Sequence, residues 1–147
     1  MLWAPMSRPD PAPHGPIPTV QAMLICERII TDGETSMKTL VNVFDIVRIP
    51  RPSQSPPAGL RFSLFARLYD AAGNYTFRVD FVYAESERMI AQFATEPTNV
   101  PDPLAAADVA LAFPPLPLPE LGRYEFRLYA NDVYLTHVGI RVLAQGE

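Results

Sequence analysis

The chain has 147 residues, 48% of them apolar and 19% charged, with a formal net charge of −4. That length suits one domain, and the apolar share is enough for a real core. The charge excludes the dense Lys/Arg footprint of a nucleic-acid binder, because the two basic stretches, Arg48–Arg51 and Arg123–Arg127, are diluted by Pro50 and Glu125.

Residues 1–18 carry Pro5, Pro9, Pro11, Pro13, Pro16 and Pro18. Proline fixes φ and removes a backbone donor, so this stretch is expected to be an extended, disordered extension rather than helix or central strand. Its Pro13–Pro16 spacing matches a PxxP ligand, but a plain solvated tail is the simpler reading, and His14 has no second metal ligand beside it. From Thr19 the chain becomes apolar and β-branched up to a turn at Asp32-Gly33, which predicts a strand. Ala22, Leu24 and Cys26 share one face, and Met23 and Ile25 the other, so both faces are expected to be covered. Residues 38–49 continue the period of two as one strand, paired with the first as a hairpin. Asn42 and Asp45 interrupt its apolar faces. Each is expected to tie down a loop by hydrogen bonds, with membership of a site as the alternative for Asp45.

After a Pro/Ser loop at 50–59, residues 60–69 alternate cleanly. Leu60, Phe62, Leu64, Ala66 and Leu68 point in, and Arg61, Ser63, Phe65, Arg67 and Tyr69 point out. A turn at Asp70–Asn74 leads to a second alternating run, 75–83, and the two predict an antiparallel hairpin with one wet face. Met89, Ala91 and Phe93 mark a short strand, and 98–103 a loop. Residues 104–113 are alanine-rich, which favours helix. Val109, Leu111 and Phe113 nevertheless sit at period two and run straight into Pro114-Pro115, so a strand is expected. The segment 114–120 is too proline-rich to pair centrally.

The final stretch, 119–142, reads as two strands joined at Asn131-Asp132. It is entered through Leu121-Gly122-Arg123-Tyr124, the pattern of a tyrosine corner. Tyr124, Phe126, Leu128 and Ala130 are placed inside, with Val138, Ile140 and Val142 closing the core. The sum is an all-β, antiparallel, two-sheet immunoglobulin-like sandwich of seven or eight strands, over residues 19–147 as one domain.

The blocks Leu24–Asp32 and Leu40–Asp45, the Phe62–Tyr83 region and Gly122–Phe126 together resemble a family of small bacterial β-sandwich proteins of unknown function. The resemblance covers roughly residues 20–143 and implies the sandwich fold, without an activity or a role for any residue. The proline-rich first eighteen residues depart from it.

No chemistry is assembled by spacing. The lone Cys26 excludes an intramolecular disulfide and a Cys-rich zinc site, and is expected to pack as a small apolar residue. His137 falls on the wet side of its strand by parity, away from any nucleophile; a Cys26–His137 pair has nothing to position it. Asp80 and Glu125 both project from polar faces and are the best candidates for a paired-carboxylate hydrolase, the least expected function. Asp32 with Glu34, or Asp70 with Asn74, would suit calcium but are ordinary turn residues. No apolar run reaches the ~18 residues of a membrane span, and the N-terminus lacks a secretory signal, so the cytoplasm is the expected compartment.

What remains is a non-catalytic interaction or accessory module with no catalytic residue, cofactor or metal. Phe65, Tyr69, Tyr129 and Tyr134 form its candidate partner patch. A protein partner or a homo-oligomer is the expected assembly, with neither nucleic acid nor membrane involved. The alternative is a carbohydrate- or calcium-dependent ligand-binding sandwich.

Overall fold

The computed structural model describes residues 15–146. Residues 1–14, which hold most of the proline-rich extension, His14 and the start of the Pro13–Pro16 spacing, lie outside the described residues. The strands are β1 (Thr19–Thr31), β2 (Lys38–Val43), β3 (Ile46–Ile49), β4 (Ser63–Tyr69), β5 (Gly73–Tyr75), β6 (Phe77–Tyr83), β7 (Arg88–Ala94), β8 (Thr98–Val100), β9 (Ala107–Ala112), β10 (Gly122–Ala130) and β11 (Val133–Ala144). They form a four-stranded sheet in the order β2-β1-β4-β9, a five-stranded sheet in the order β3-β11-β10-β6-β7, and a short β5-β8 ribbon. The fold is all-β, as the alternation predicts, and the alanine-rich segment is strand β9 rather than helix.

The core lies between the two sheets. Tyr124, Phe126, Leu128, Ala130, Ile140 and Val142 are all buried, as are Phe62, Leu64, Ala66 and Leu68 opposite them. A connected set of aromatic rings spans the gap. Phe126 on β10 lies 4.7 Å from Phe81, 5.9 Å from Phe62 and 5.5 Å from Phe113, so it joins the five-stranded sheet to two neighbouring segments at one end of the other, where Phe113 N–H donates to the Phe62 carbonyl at 3.0 Å. The tyrosine corner forms as expected. Tyr124 Oη donates to the Glu120 carbonyl at 2.8 Å and accepts from the Glu120 N–H at 3.0 Å. Gly122 makes the turn possible at φ 129°, where a Cβ would collide with the Glu85 carboxylate.

Three expectations are corrected, besides the loop expected at 98–103, whose first three residues are strand β8. Residues 38–49 are two strands, not one. β2 does pair with β1 in the predicted hairpin, but the chain then crosses to the other sheet, where β3 runs parallel to β11. This is the one parallel ladder among the described residues. Asn42 sits in the left-handed region at φ 55°, a conformation its short polar side chain tolerates. The crossing is pinned beyond it by Arg141 N–H donating to the Asp45 carbonyl at 2.8 Å. It buries Val47 and Ile49, which a longer β2 would have left outside. Asn42 and Asp45 are accordingly exposed, not buried, although Asn42 Nδ2 does tie the hairpin by donating to Glu27 Oε1 at 2.9 Å.

The strands read as a 60–83 hairpin do not pair with each other. β4 lies between β1 and β9, while β6 lies between β10 and β7 in the opposite sheet. The Asp70–Asn74 turn signal therefore marks a passage between sheets, with part of it forming β5 against β8. Tyr75, buried in that passage, donates from Oη to the Pro16 carbonyl at 2.7 Å and accepts from the Ala72 N–H at 3.0 Å. That contact holds the last residues before β1, and Pro18 is buried there.

The third correction is to β1. Its inward row, Met23 and Ile25, packs on the core, but its outer row is only partly covered. Cys26 is fully buried, whereas Leu24 is 39% exposed.

Candidate functional site

Strand alternation builds a polar, aromatic surface on the outer side of the five-stranded sheet. Because ladder partners share a face, Tyr134, Tyr129 and Arg78 stand in one row across β11, β10 and β6. His137, Arg127, Asp80 and Gln92 form the next row. Glu125 follows, opposite Gly139, where the absence of a Cβ leaves space for the Arg123 guanidinium.

These side chains hold one another. The rings of Tyr129 and Tyr134 meet edge to face at 5.6 Å, and the Arg78 guanidinium lies 4.0 Å from the centre of the Tyr129 ring. Arg78 also pairs with Asp80 at 3.0 Å and with Asp132 at 2.6 Å, and Gln92 Nε2 donates to Asp80 at 2.9 Å. Tyr134 Oη lies 2.7 Å from His137 Nδ1, and His137 Nε2 is 3.7 Å from Glu125. Arg127 bridges Glu125 at 2.9 Å and Glu87 at 2.8 Å. Burial pushes the Glu125 carboxyl up, but Arg127, His137 and Arg123 outweigh it and hold the group below the usual glutamate range. The Arg127 guanidinium, hydrogen-bonded to Glu87, is pushed above its ordinary value.

The four aromatic residues of the candidate patch do not form one surface. Tyr129 and Tyr134 are neighbours, with Tyr134 48% exposed. Phe65 and Tyr69 belong to β4, on the outer side of the other sheet, and Phe65 is buried. It sits between Leu24 of β1 and Ala110 of β9, with the Arg67 guanidinium 5.6 Å from its ring. Register and parity also place Cys26 and His137 on opposite outer faces, so the two do not meet. Burial pushes the Cys26 thiol up, opposing nucleophile formation. Asp80 and Glu125 are each engaged by guanidinium groups. The Asp32 carboxylate accepts from the Glu34 N–H and the Thr35 hydroxyl within its own turn, and Asn74 Oδ1 accepts from Asn99 Nδ2. Among the described residues no group of three His, Cys, Asp or Glu is placed to hold a metal ion, and no helix is long and apolar enough to cross a membrane.

A second feature has no counterpart in the sequence reading. Where β2 leaves the first sheet for the second, the end of the sandwich opens into a trough. A cavity of 220 Å³ is lined by Glu27, Phe44, Val47, Arg48, Leu60 and Arg61. It shares Leu60 and Arg61 with a 300 Å³ cavity that reaches Arg28 and Phe113, and shares Arg48 and Leu60 with a 320 Å³ cavity toward Pro50 and Gln145. Arg28, Arg48 and Arg61 are far apart in sequence, and no spacing of residues brings them together before the chain changes sheet.

Comparison with known proteins yields a match to one protein-family model, described as a family of unknown function (DUF6941), over residues 21–143. No curated protein matches the chain.

Proposed function

Since the chain belongs to the DUF6941 family of unknown function, we propose from its geometry that it is a non-catalytic interaction or accessory module that binds a protein partner through the outer face of its five-stranded sheet. The observation that carries this is the Tyr129–Tyr134 pair: Tyr134 is 48% exposed, and Tyr129 is fixed by Arg78 at 4.0 Å. Tyrosine and arginine are the side chains most enriched where binding energy concentrates, and a ring already held in place loses little entropy on contact. The engaged state of Asp80 and Glu125 weighs against a hydrolase, in which at least one acid must be available to substrate.

The finer features belong to the same reading. The Tyr124 corner supports an immunoglobulin-like sandwich. The cytoplasm is the compartment that goes with this reading. The test is affinity capture with the full chain alongside Tyr134→Ala, combined with size-exclusion chromatography and light scattering. A partner, or a second copy of the chain, retained by the wild type and lost by the variant is the expected result. A monomer whose captured proteins are the same with and without Tyr134 overturns the reading.

An aromatic pair ringed by Arg, Asp and His also favours a carbohydrate ligand as the second reading. A thermal-shift screen with sugars and Ca²⁺ separates the two, because a ligand of the native state raises the melting midpoint.

A further inference from the structure

We infer that the trough at the β2–β3 end of the sandwich is a docking groove for an extended peptide segment of a partner protein, one in which acidic residues alternate with apolar ones. The groove lies away from the Tyr129–Tyr134 face and shares with the interaction reading only the premise that the partner is a protein.

Charge points to an acidic partner. Arg28, Arg48 and Arg61 line the joined cavities against a single acid, Glu27, in a chain whose net charge is −4. Glu27 is already engaged by Asn42 Nδ2. Arg28 and Arg61 carry no ion pair among the described residues, whereas Arg67, Arg78, Arg123 and Arg127 are all paired with carboxylates. Arg28 and Arg61 therefore bring to the trough positive charge that no carboxylate among the described residues pairs with.

Shape points to an extended chain. The three cavities meet at Leu60, which lines all of them, and the half-buried Phe44, Leu60 and Phe113 give them apolar surface. A lone small anion would meet a guanidinium and leave that floor unused. An extended peptide points successive side chains to opposite sides, so apolar residues reach the floor while the intervening acids reach the arginines on the rim. Charge-assisted carboxylate–guanidinium bonds are the strong kind of polar contact for such a rim.

The experiment titrates the ¹⁵N-labelled full chain with acetyl-Asp-Leu-Asp-Phe-Asp-Leu-Asp-amide, with its Asn-for-Asp counterpart, and with inorganic phosphate. The acidic peptide is expected to shift the amides of Phe44, Val47, Leu60, Arg61 and Phe113 saturably, and to bind more weakly as salt is raised. In R28E/R61E the affinity is expected to fall about tenfold or more, as for loss of complementary charge at an interface. The neutral pair R28Q/R61Q serves the same purpose should charge reversal disturb the fold. The inference is overturned if the acidic peptide causes no shifts, if the shifts lie elsewhere, if the Asn peptide binds equally well, or if phosphate alone reproduces them. A result at this groove leaves the Tyr134→Ala capture outcome unaffected, so the two proposals fail separately.

Discussion

At the scale of single residues, Tyr124 shows how one side chain fixes a turn. Its hydroxyl both accepts from and donates to the backbone of Glu120, so Tyr124→Phe leaves two partly buried polar groups without partners. The expected cost is about 1–3 kcal/mol, read as a lower urea midpoint at unchanged slope. Burial pushes the phenol up to about 12 from its ordinary value of 10.0. The unfolded chain therefore releases its proton first, and stability falls as pH rises from 10.0 toward about 12; in Tyr124→Phe that alkaline decline should be shallower. The acid side works in the opposite sense. A hydrogen-bonded ion pair with Arg67, 2.8 Å away, holds Asp108 below its ordinary value of 3.8. The pair's stabilisation is present above pH 3.8 and is lost as pH falls through the lower folded value. Arg67→Met should thus narrow the stability gap between neutral and strongly acidic pH, as measured by urea midpoints at each. The corner was legible because Gly122 and Tyr124 lie two positions apart in sequence. The Arg67–Asp108 pair was not, because it spans forty-one positions of chain.

Among the elements, the period of two revealed which residues alternate but not which sheet they join. The row Val41, Val43, Val47, Ile49 keeps one parity throughout. Yet Val43 on β2 is 53% exposed, while Val47 on β3 is buried in the opposite sheet. The change of sheet at Asn42–Asp45 reverses what that parity means. It depends on a left-handed residue, which predicts that Asn42→Val costs about 1–3 kcal/mol through backbone strain, with Asn42→Gly costing less. Thermal midpoints of the two variants check this, and equal losses would mean that the Asn42–Glu27 hydrogen bond, not the backbone, is what matters. The same limit explains the misread 60–83 hairpin. Two alternating runs around a Gly-Asn turn suit a hairpin and a passage between sheets equally well. The difference lies in β1 and β9, which flank β4 and cover Phe65 from either side. The candidate patch divided for this reason: Tyr129 and Tyr134 share a ladder, and Phe65 and Tyr69 belong to another sheet.

For the molecule as a whole, the aromatic network decides whether the sheets fold as one unit. Phe126 contributes from β10, yet its nearest rings include Phe62, which leads into β4, and Phe113, which follows β9. Phe113 in turn lies 5.0 Å from Phe93 on β7, so the links run from the central strands to an edge. If the core is a single cooperative body, removing its central ring must weaken both sheets together. Phe126→Ala is expected to cost about 3–5 kcal/mol, the range for a fully buried phenylalanine. Its unfolding should remain one transition, with far-ultraviolet circular dichroism, tyrosine fluorescence and Cys26 thiol accessibility changing together. Cys26 is the useful reporter here. It is fully buried on the outer side of the four-stranded sheet, whereas Phe126 belongs to the five-stranded one. Thiol exposure at lower urea than the loss of β-signal would mean that the first sheet opens by itself. The aromatic network would then only rest between two independent layers.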